Sequence, residues 1–298
     1  MFKSWLRYGV LLLPVLTGCL SHTRKLQQVR LAGPVMDADA VQLVAKINQR
    51  YEQIHSLNAT VEFAASVGGA HRGQQTDYTS IRGHILFRKP EMLRVLGLVP
   101  VLQTRAFDLA SDGTNFTLLI PPKNRAIQGK NSVTKTGKNP LENLRPEIFV
   151  DAMLIRDIAP GRIVSLIHES AMTQDPKTRQ LIELPEYDLT VLSGATPAPP
   201  PALVQIANPQ RVIRFSRINL MPAELDVYNT NGDLETQVLY SNYQVFSGTS
   251  FPATITIYRP LDEFRVTLTV EKLTVNEPLA DDQFQLQIPK GVQVQELK

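Results

Sequence analysis

The chain has 298 residues, 43% of them hydrophobic, with a formal charge of +3 at pH 7 and a single cysteine. That length and apolar fraction suffice for one large β domain or two small ones. The near-balanced charge gives no footing to a nucleic-acid partner, and one cysteine excludes a disulfide within the chain.

The first residues, Met1 to Arg7, carry two positive charges and no acid. Val10-Leu11-Leu12-Leu13-Pro14-Val15-Leu16 follows as an apolar core, and Thr17-Gly18 supplies small residues before Cys19. These are the three parts of a secretory signal. The apolar run falls well short of the roughly 20 residues that cross a bilayer, and Pro14 interrupts it.

Leu16-Thr17-Gly18-Cys19 resembles the lipobox of bacterial lipoproteins. The resemblance implies cleavage before Cys19 and a diacylglycerol on its thiol; the alternative is an ordinary signal with a chance cysteine. Two or three acyl chains, at about 0.8 kcal/mol per buried methylene, hold a protein on a membrane almost permanently. No cofactor is expected beyond that covalent lipid. Leu20 stands where aspartate favours inner-membrane retention in enterobacteria, which by resemblance implies the outer membrane, facing the periplasm. The expected organisation is therefore a signal peptide over residues 1–18, a lipidated flexible tether over 19–36 and one domain over 37–298. The tether is polar and basic, with His22, Arg24, Lys25 and Arg30.

Asp37 reads as an N-cap, and Val41, Val44, Ile47, Tyr51 and Ile54 recur at helical spacing. The period then changes to two. Val61 and Phe63, then Ile81, Gly83, Ile85 and Phe87, then Leu93 and Val95, alternate with polar neighbours. Phe107 and Leu109 follow, and the Asp112-Gly113 turn leads into Phe116, Leu118 and Ile120. Pro146 is placed to open a short helix through Leu154. Tyr187, Leu189 and Val191 form the next strand, and Ile213 and Phe215 another. The Asn231-Gly232 pair predicts a hairpin between Leu225-Val227 and Val238-Tyr240. Ile255 and Ile257 precede a turn at Pro260 to Glu263, and a clean strand runs from Phe264 to Val270. A last strand is predicted over Phe284, Leu286 and Ile288. The expected fold is mainly β: a large curved antiparallel sheet, roughly ten or eleven strands, with two or three helices over its concave face.

The order of parts resembles the LolA/LolB-like family of outer-membrane lipoprotein carriers and receptors. The residues that carry it are the helix end Tyr51-Glu52-Gln53-Ile54-His55-Ser56-Leu57, the run Gly83 to Arg94 with its Lys89-Pro90-Glu91 step, Ser111-Asp112-Gly113, and Asp282 to Gly291. Such patterns mark a fold more than a function. The resemblance implies an unclosed β-barrel with an apolar hollow for acyl chains, lidded by helices. The mature chain is longer than the receptor, with added residues around Ile163 to Pro209. Phe63, Ile85, Phe87, Phe107, Phe116 and Leu118 share the predicted inward face and are the expected acyl-binding residues, unless they form a dry core.

Leu96-Gly97-Leu98-Val99-Pro100-Val101-Leu102 joins two strands and is almost wholly apolar, whereas connecting loops are normally polar. The resemblance implies that it enters a membrane, with Leu96, Leu98, Val99 and Leu102 as the expected residues and Leu98 or Val99 protruding. The alternative is a buried strand or a cover for the barrel end. No spaced pair of histidines, nucleophile elbow or phosphate loop occurs among the sequence motifs, so no enzyme is expected. The predicted function is a membrane-anchored binder of acyl chains whose partners are acylated lipoproteins or other lipids. The alternative is an envelope scaffold or sensor with a protein partner and a filled interior.

Overall fold

The computed structural model of the chain describes residues 24–25, 28–132, 144–175, 178–194, 196–197 and 205–297. The expected signal and Cys19 lie outside the described residues, and so does most of the Pro-rich loop after Val191.

The chain opens with β1 (Arg30–Leu31) and α1 (Ala40–Gln53). Then come β2 (Ser56–Gly69), β3 (Gln74–Asp77), β4 (Ile81–Arg88), β5 (Met92–Leu98), β6 (Arg105–Asp112), β7 (Asn115–Ile120) and β8 (Arg125–Lys130). After α2 (Pro146–Met153) follow β9 (Val164–Gln174), β10 (Leu181–Leu192), β11 (Thr196–Pro197), β12 (Gln205–Ile206), β13 (Pro209–Ser216) and β14 (Pro222–Tyr228). The chain finishes with β15 (Leu234–Phe246), β16 (Thr249–Arg259), β17 (Phe264–Val275) and β18 (Gln293–Glu296).

Sixteen of these strands form one sheet, ordered β1-β10-β13-β14-β15-β16-β17-β2-β4-β5-β6-β7-β8-β18, with β3 beside β2 and β9 beside β10. Its two ends do not pair with each other, so the barrel is unclosed. Among the described residues, only β1 and β18 join their neighbours in parallel. The expected sheet of ten or eleven strands is thus longer, because short or polar strands escape a search for alternating apolar residues. In β9 nearly every residue is half-buried or exposed, and β8 buries the adjacent Ala126 and Ile127 rather than alternate positions. The residues around Ile163 to Pro209 supply β9 and β10, a hairpin that extends one end of the sheet.

The period-two pattern marked inward residues correctly at Val61 and Phe63 on β2, Leu93 and Val95 on β5, and Leu225, Ile255, Ile257 and Leu268 in the second half. β2 also starts earlier than expected, at Ser56, and buries Leu57 and Ala59. Both helices join the same core cluster. Each such Leu, Ile or Phe contributes roughly 1.5–3 kcal/mol by leaving water. On α1 the seam is Leu43 and Ile47, and Val41 faces solvent. The helix begins two residues later than Asp37 suggested, because Gln42 completes a capping box with Asp39: Asp39 Oδ1 accepts from the Gln42 amide at 2.8 Å, and Gln42 Oε1 accepts from the Asp39 amide at 3.0 Å. α2 starts at Pro146 as expected and buries Ile148, Phe149, Val150 and Met153.

The expected strand over Phe284 to Ile288 does not form. Asp281–Phe284 is a 3-10 turn laid across the outer face of β5 and β6. Arg94 Nη1 donates to the Gln283 carbonyl at 3.0 Å and the Gln285 carbonyl at 3.2 Å, Arg88 reaches the Leu279 carbonyl and Asp281, and the Arg88 guanidinium lies over the buried Phe284 ring. Period-two alternation marks an extended segment, and here side chains of the sheet rather than a ladder satisfy its backbone. The last residues of the expected tether also lie on the sheet. Arg30 and Leu31 pair with Ile182 and Glu183, and the Met36 amide donates to the Arg217 carbonyl at 2.7 Å.

Candidate functional site: an apolar cavity at one end of the strands

At one end of the strands the described residues leave an apolar cavity of about 500 Å³. This lies within the range of roughly 300–1,000 Å³ common to small-molecule sites. Phe63 at the inward end of its pairing with β4, Ile81 at the start of β4, Phe107 on β6 and Leu118 on β7 form one wall. Phe149 from α2 and Phe264 and Val266 from β17 form the other. Tyr78 and Thr79 are the polar residues at the rim.

The space exists because two aromatic rings are held aside. Phe63 and Phe107 meet edge to face, with centroids 5.7 Å apart and planes at 76°. Both lie over glycine: a Cβ on Gly83 would stand 2.5 Å from the Phe63 ring, and one on Gly97 would stand 2.4 Å from the Phe107 ring. No group of three or more His, Cys, Asp or Glu side chains suited to a metal occurs among the described residues, and the cavity wall carries no acid or base beyond the Tyr78 hydroxyl.

Three of the six expected acyl-binding residues, Phe63, Phe107 and Leu118, line this cavity. The other three, Ile85, Phe87 and Phe116, are buried in the solid core away from it. They share the inward face but sit further along their strands, where the core is filled; Phe116 packs beneath the Arg145 guanidinium at 5.0 Å. Phe149, Phe264 and Val266 were not marked as site residues. They come from α2 and from β17, the neighbour of β2 in the sheet, both far from Phe107 in sequence.

The apolar connection beside the cavity differs from expectation in register. Leu96 and Leu98 belong to β5, half-buried on its outer face. The loop proper starts at Val99, which lines the cavity together with Pro100. It is closed by the Val99 amide donating to the Thr104 carbonyl at 2.7 Å and the Gln103 amide to the Val99 carbonyl at 3.0 Å. At its tip Val101 is 93% exposed and Leu102 73% exposed. Val101 has φ 67°, a conformation that costs a β-branched residue on the order of 1–3 kcal/mol. The fold therefore holds two large apolar side chains in water, one of them on a strained backbone, at the cavity mouth.

No protein-family model and no curated protein matches the sequence. The structure does match solved ones. A LolA superfamily protein from Nitrosomonas europaea aligns with a TM-score of 0.50 at 14% identity, covering 84% of this chain and 99% of that one. A DUF1329 family protein from Desulfovibrio piger gives 0.47 at 11% identity, over 83% and 95%. An outer membrane lipoprotein-sorting protein domain from Vibrio parahaemolyticus gives 0.41 at 13%, over 82% and 94%. The chain has the LolA-like fold, as its sequence pattern implied.

Proposed function

We propose that the chain is a non-catalytic lipoprotein of the cell envelope that receives acyl chains in the apolar cavity. The observation that carries this is the continuity of an apolar cavity with the exposed Val101-Leu102 tip, through Val99 and Pro100. An acyl chain leaving a membrane would pass from lipid to tip to cavity without crossing water. Burial at about 25 cal/mol per Å² supplies affinity, and a wall whose described residues carry no charged group leaves the headgroup outside, so that exchange stays reversible.

The finer assignments follow the same line. Cys19 carries the lipid anchor, the periplasmic face of the outer membrane is the site of action, and lipoproteins or other lipids bound for that membrane are the cargo. The LolA-like fold supports carriage of acyl chains, and the lipobox pattern supports anchoring. An envelope protein partner would deliver the cargo. The test is to express the domain from Ser21 onward behind a cleavable signal, purify it from the periplasm and identify co-purifying molecules by mass spectrometry. A lipopeptide supports lipoprotein reception and a phospholipid redirects the role to lipid transport. Empty protein that also ignores fluorescent acyl probes rejects the proposal and favours the scaffold.

A further inference from the structure

A second cavity, of about 530 Å³, lies at the opposite ends of the strands. β17 runs from one cavity to the other: Val266 lines the first and Val275 the second, roughly 30 Å apart along the strand. The two differ in chemistry. The second is walled on one side by Ile54, Ile155, Phe215, Met221 and Val275, and on the other by Lys46 and Arg50 of α1. Among the described residues, no aspartate or glutamate lines it.

Lys46 and Arg50 are four residues apart, so they share a face of the helix, an arrangement that costs stability for like charges. Several partly buried arginines meet a carboxylate, Arg94 with Asp108, Arg156 with Asp151, Arg214 with Asp188 and Arg259 with Asp262, while Arg211 donates to the Arg156 and Asp157 carbonyls. Neither Arg50 nor Lys46 has a hydrogen bond or ion pair among the described residues. Arg50 rests over the Phe251 ring at 5.6 Å. Burial lowers its pKa from the usual arginine value, and burial followed by the nearby Arg50 charge lowers that of Lys46. The Tyr240 hydroxyl, within range of the same guanidinium, is buried and lacks a partner among the described residues. A desolvated guanidinium without a counter-charge is costly, and an arriving anion removes that cost.

We infer that this second cavity binds a phosphate-bearing anion, with Arg50 and Lys46 holding the phosphate oxygens and the apolar wall receiving any attached hydrocarbon. Guanidinium suits phosphate because its planar fork donates two parallel hydrogen bonds. The phosphate belongs either to a lipid or to a free ion, and the apolar wall favours the lipid. This site is independent of the first cavity and of what that cavity carries.

The test titrates the full-length protein, in a non-ionic detergent, with three probes by calorimetry: inorganic phosphate, dihexanoyl phosphatidate and dihexanoylglycerol. The expected result is binding of the phosphatidate, with the neutral glyceride much weaker, and a loss of about tenfold or more in affinity in Arg50→Gln and in Lys46→Glu. Lys46 is exposed on its outer side, so Lys46→Glu keeps the test valid if Arg50→Gln does not fold. Phosphate binding as tightly as phosphatidate assigns the site to the free ion. Equal binding of the glyceride, unchanged affinity in folded Lys46→Glu, or no binding of either phosphate compound at millimolar concentration overturns the inference.

Discussion

Gly83 and Gly97 stand directly opposite each other on β4 and β5, and together they form the notch into which the rings of Phe63 and Phe107 settle. A Cβ on Gly83 would lie 2.1 Å from the Leu96 carbonyl oxygen as well as against the Phe63 ring. A Cβ on Gly97 would meet the Phe107 ring and, at 2.8 Å, the Ile81 side chain. The first clash is with backbone and the second with side chains that can move into the cavity. Gly97→Ala should therefore cost about 1–3 kcal/mol, as overpacking usually does, and reduce acyl-probe binding. Gly83→Ala should cost more. Urea denaturation of both variants checks this; a Gly83→Ala protein as stable as the parent would show that the notch is not required.

The tip carries a separate expectation. Val101→Glu with Leu102→Glu removes apolar surface that is already in water, so the melting temperature should stay within a few degrees, since surface changes stay near ±0.5 kcal/mol. Flotation with liposomes should show membrane binding of the unlipidated domain reduced severalfold. Leu98→Glu, in a half-buried strand position, should instead lower stability by about 1–3 kcal/mol. Unchanged flotation in the tip variant would remove the tip from the mechanism.

These variants show where the sequence was legible. Period-two alternation is a local property, so Phe63, Phe107 and Leu118 could be marked inward from their own strands. It cannot say how deep along a strand the packing ends, which is why Ile85, Phe87 and Phe116 share the pattern yet lie in solid core. The apolar run from Leu96 to Leu102 was visible as unusual, but its register was not. The register depends on β5 pairing with β4 as far as Leu98 against Arg82, and that pairing leaves Val101 and Leu102 as the protruding pair. The Lys46–Arg50 spacing was present in the sequence too. Its meaning required knowing that no carboxylate among the described residues lines the cavity beside it.

Asp226 should make stability depend on pH. It sits on β14 beside Glu224, with its Oδ1 buried and unpartnered among the described residues. Burial first, and the Glu224 charge second, push its pKa from 3.8 up to about 6. The folded chain thus holds this proton more tightly than the unfolded chain. The resulting stabilisation is complete below about pH 3.8 and is lost as pH rises through about 6. Because Asp226 and Glu224 interact and titrate together, the effect is on the order of 1 kcal/mol. Asp226→Asn should be more stable than the parent by that amount above pH 6, with the difference vanishing near pH 4. Denaturation midpoints measured from pH 4 to 8 check it, and parallel curves for the two proteins would refute the shift.

Asp108 holds the arginine that in turn holds the C-terminal segment. It is completely buried, and Arg94 grips both its oxygens, with Nε to Oδ1 at 3.0 Å and Nη2 to Oδ2 at 2.8 Å, while Arg105 Nη1 approaches Oδ2 at 3.3 Å. The same Arg94 guanidinium donates its remaining group to the Gln283 and Gln285 carbonyls. Removing the carboxylate leaves a partly buried cation without its counter-charge and frees the arm that orients the 279–285 segment. Asp108→Ala should therefore destabilise by about 3–5 kcal/mol. The exposed pair Arg82–Glu271 has no second task, and Glu271→Ala should cost no more than about 1 kcal/mol. Hydrogen exchange separates the two effects: Asp108→Ala should lose protection at the amides of residues 279–285 before the core strands, and Glu271→Ala should not. Equal protection in both variants would mean that the segment is held by Phe284 and Arg88 alone.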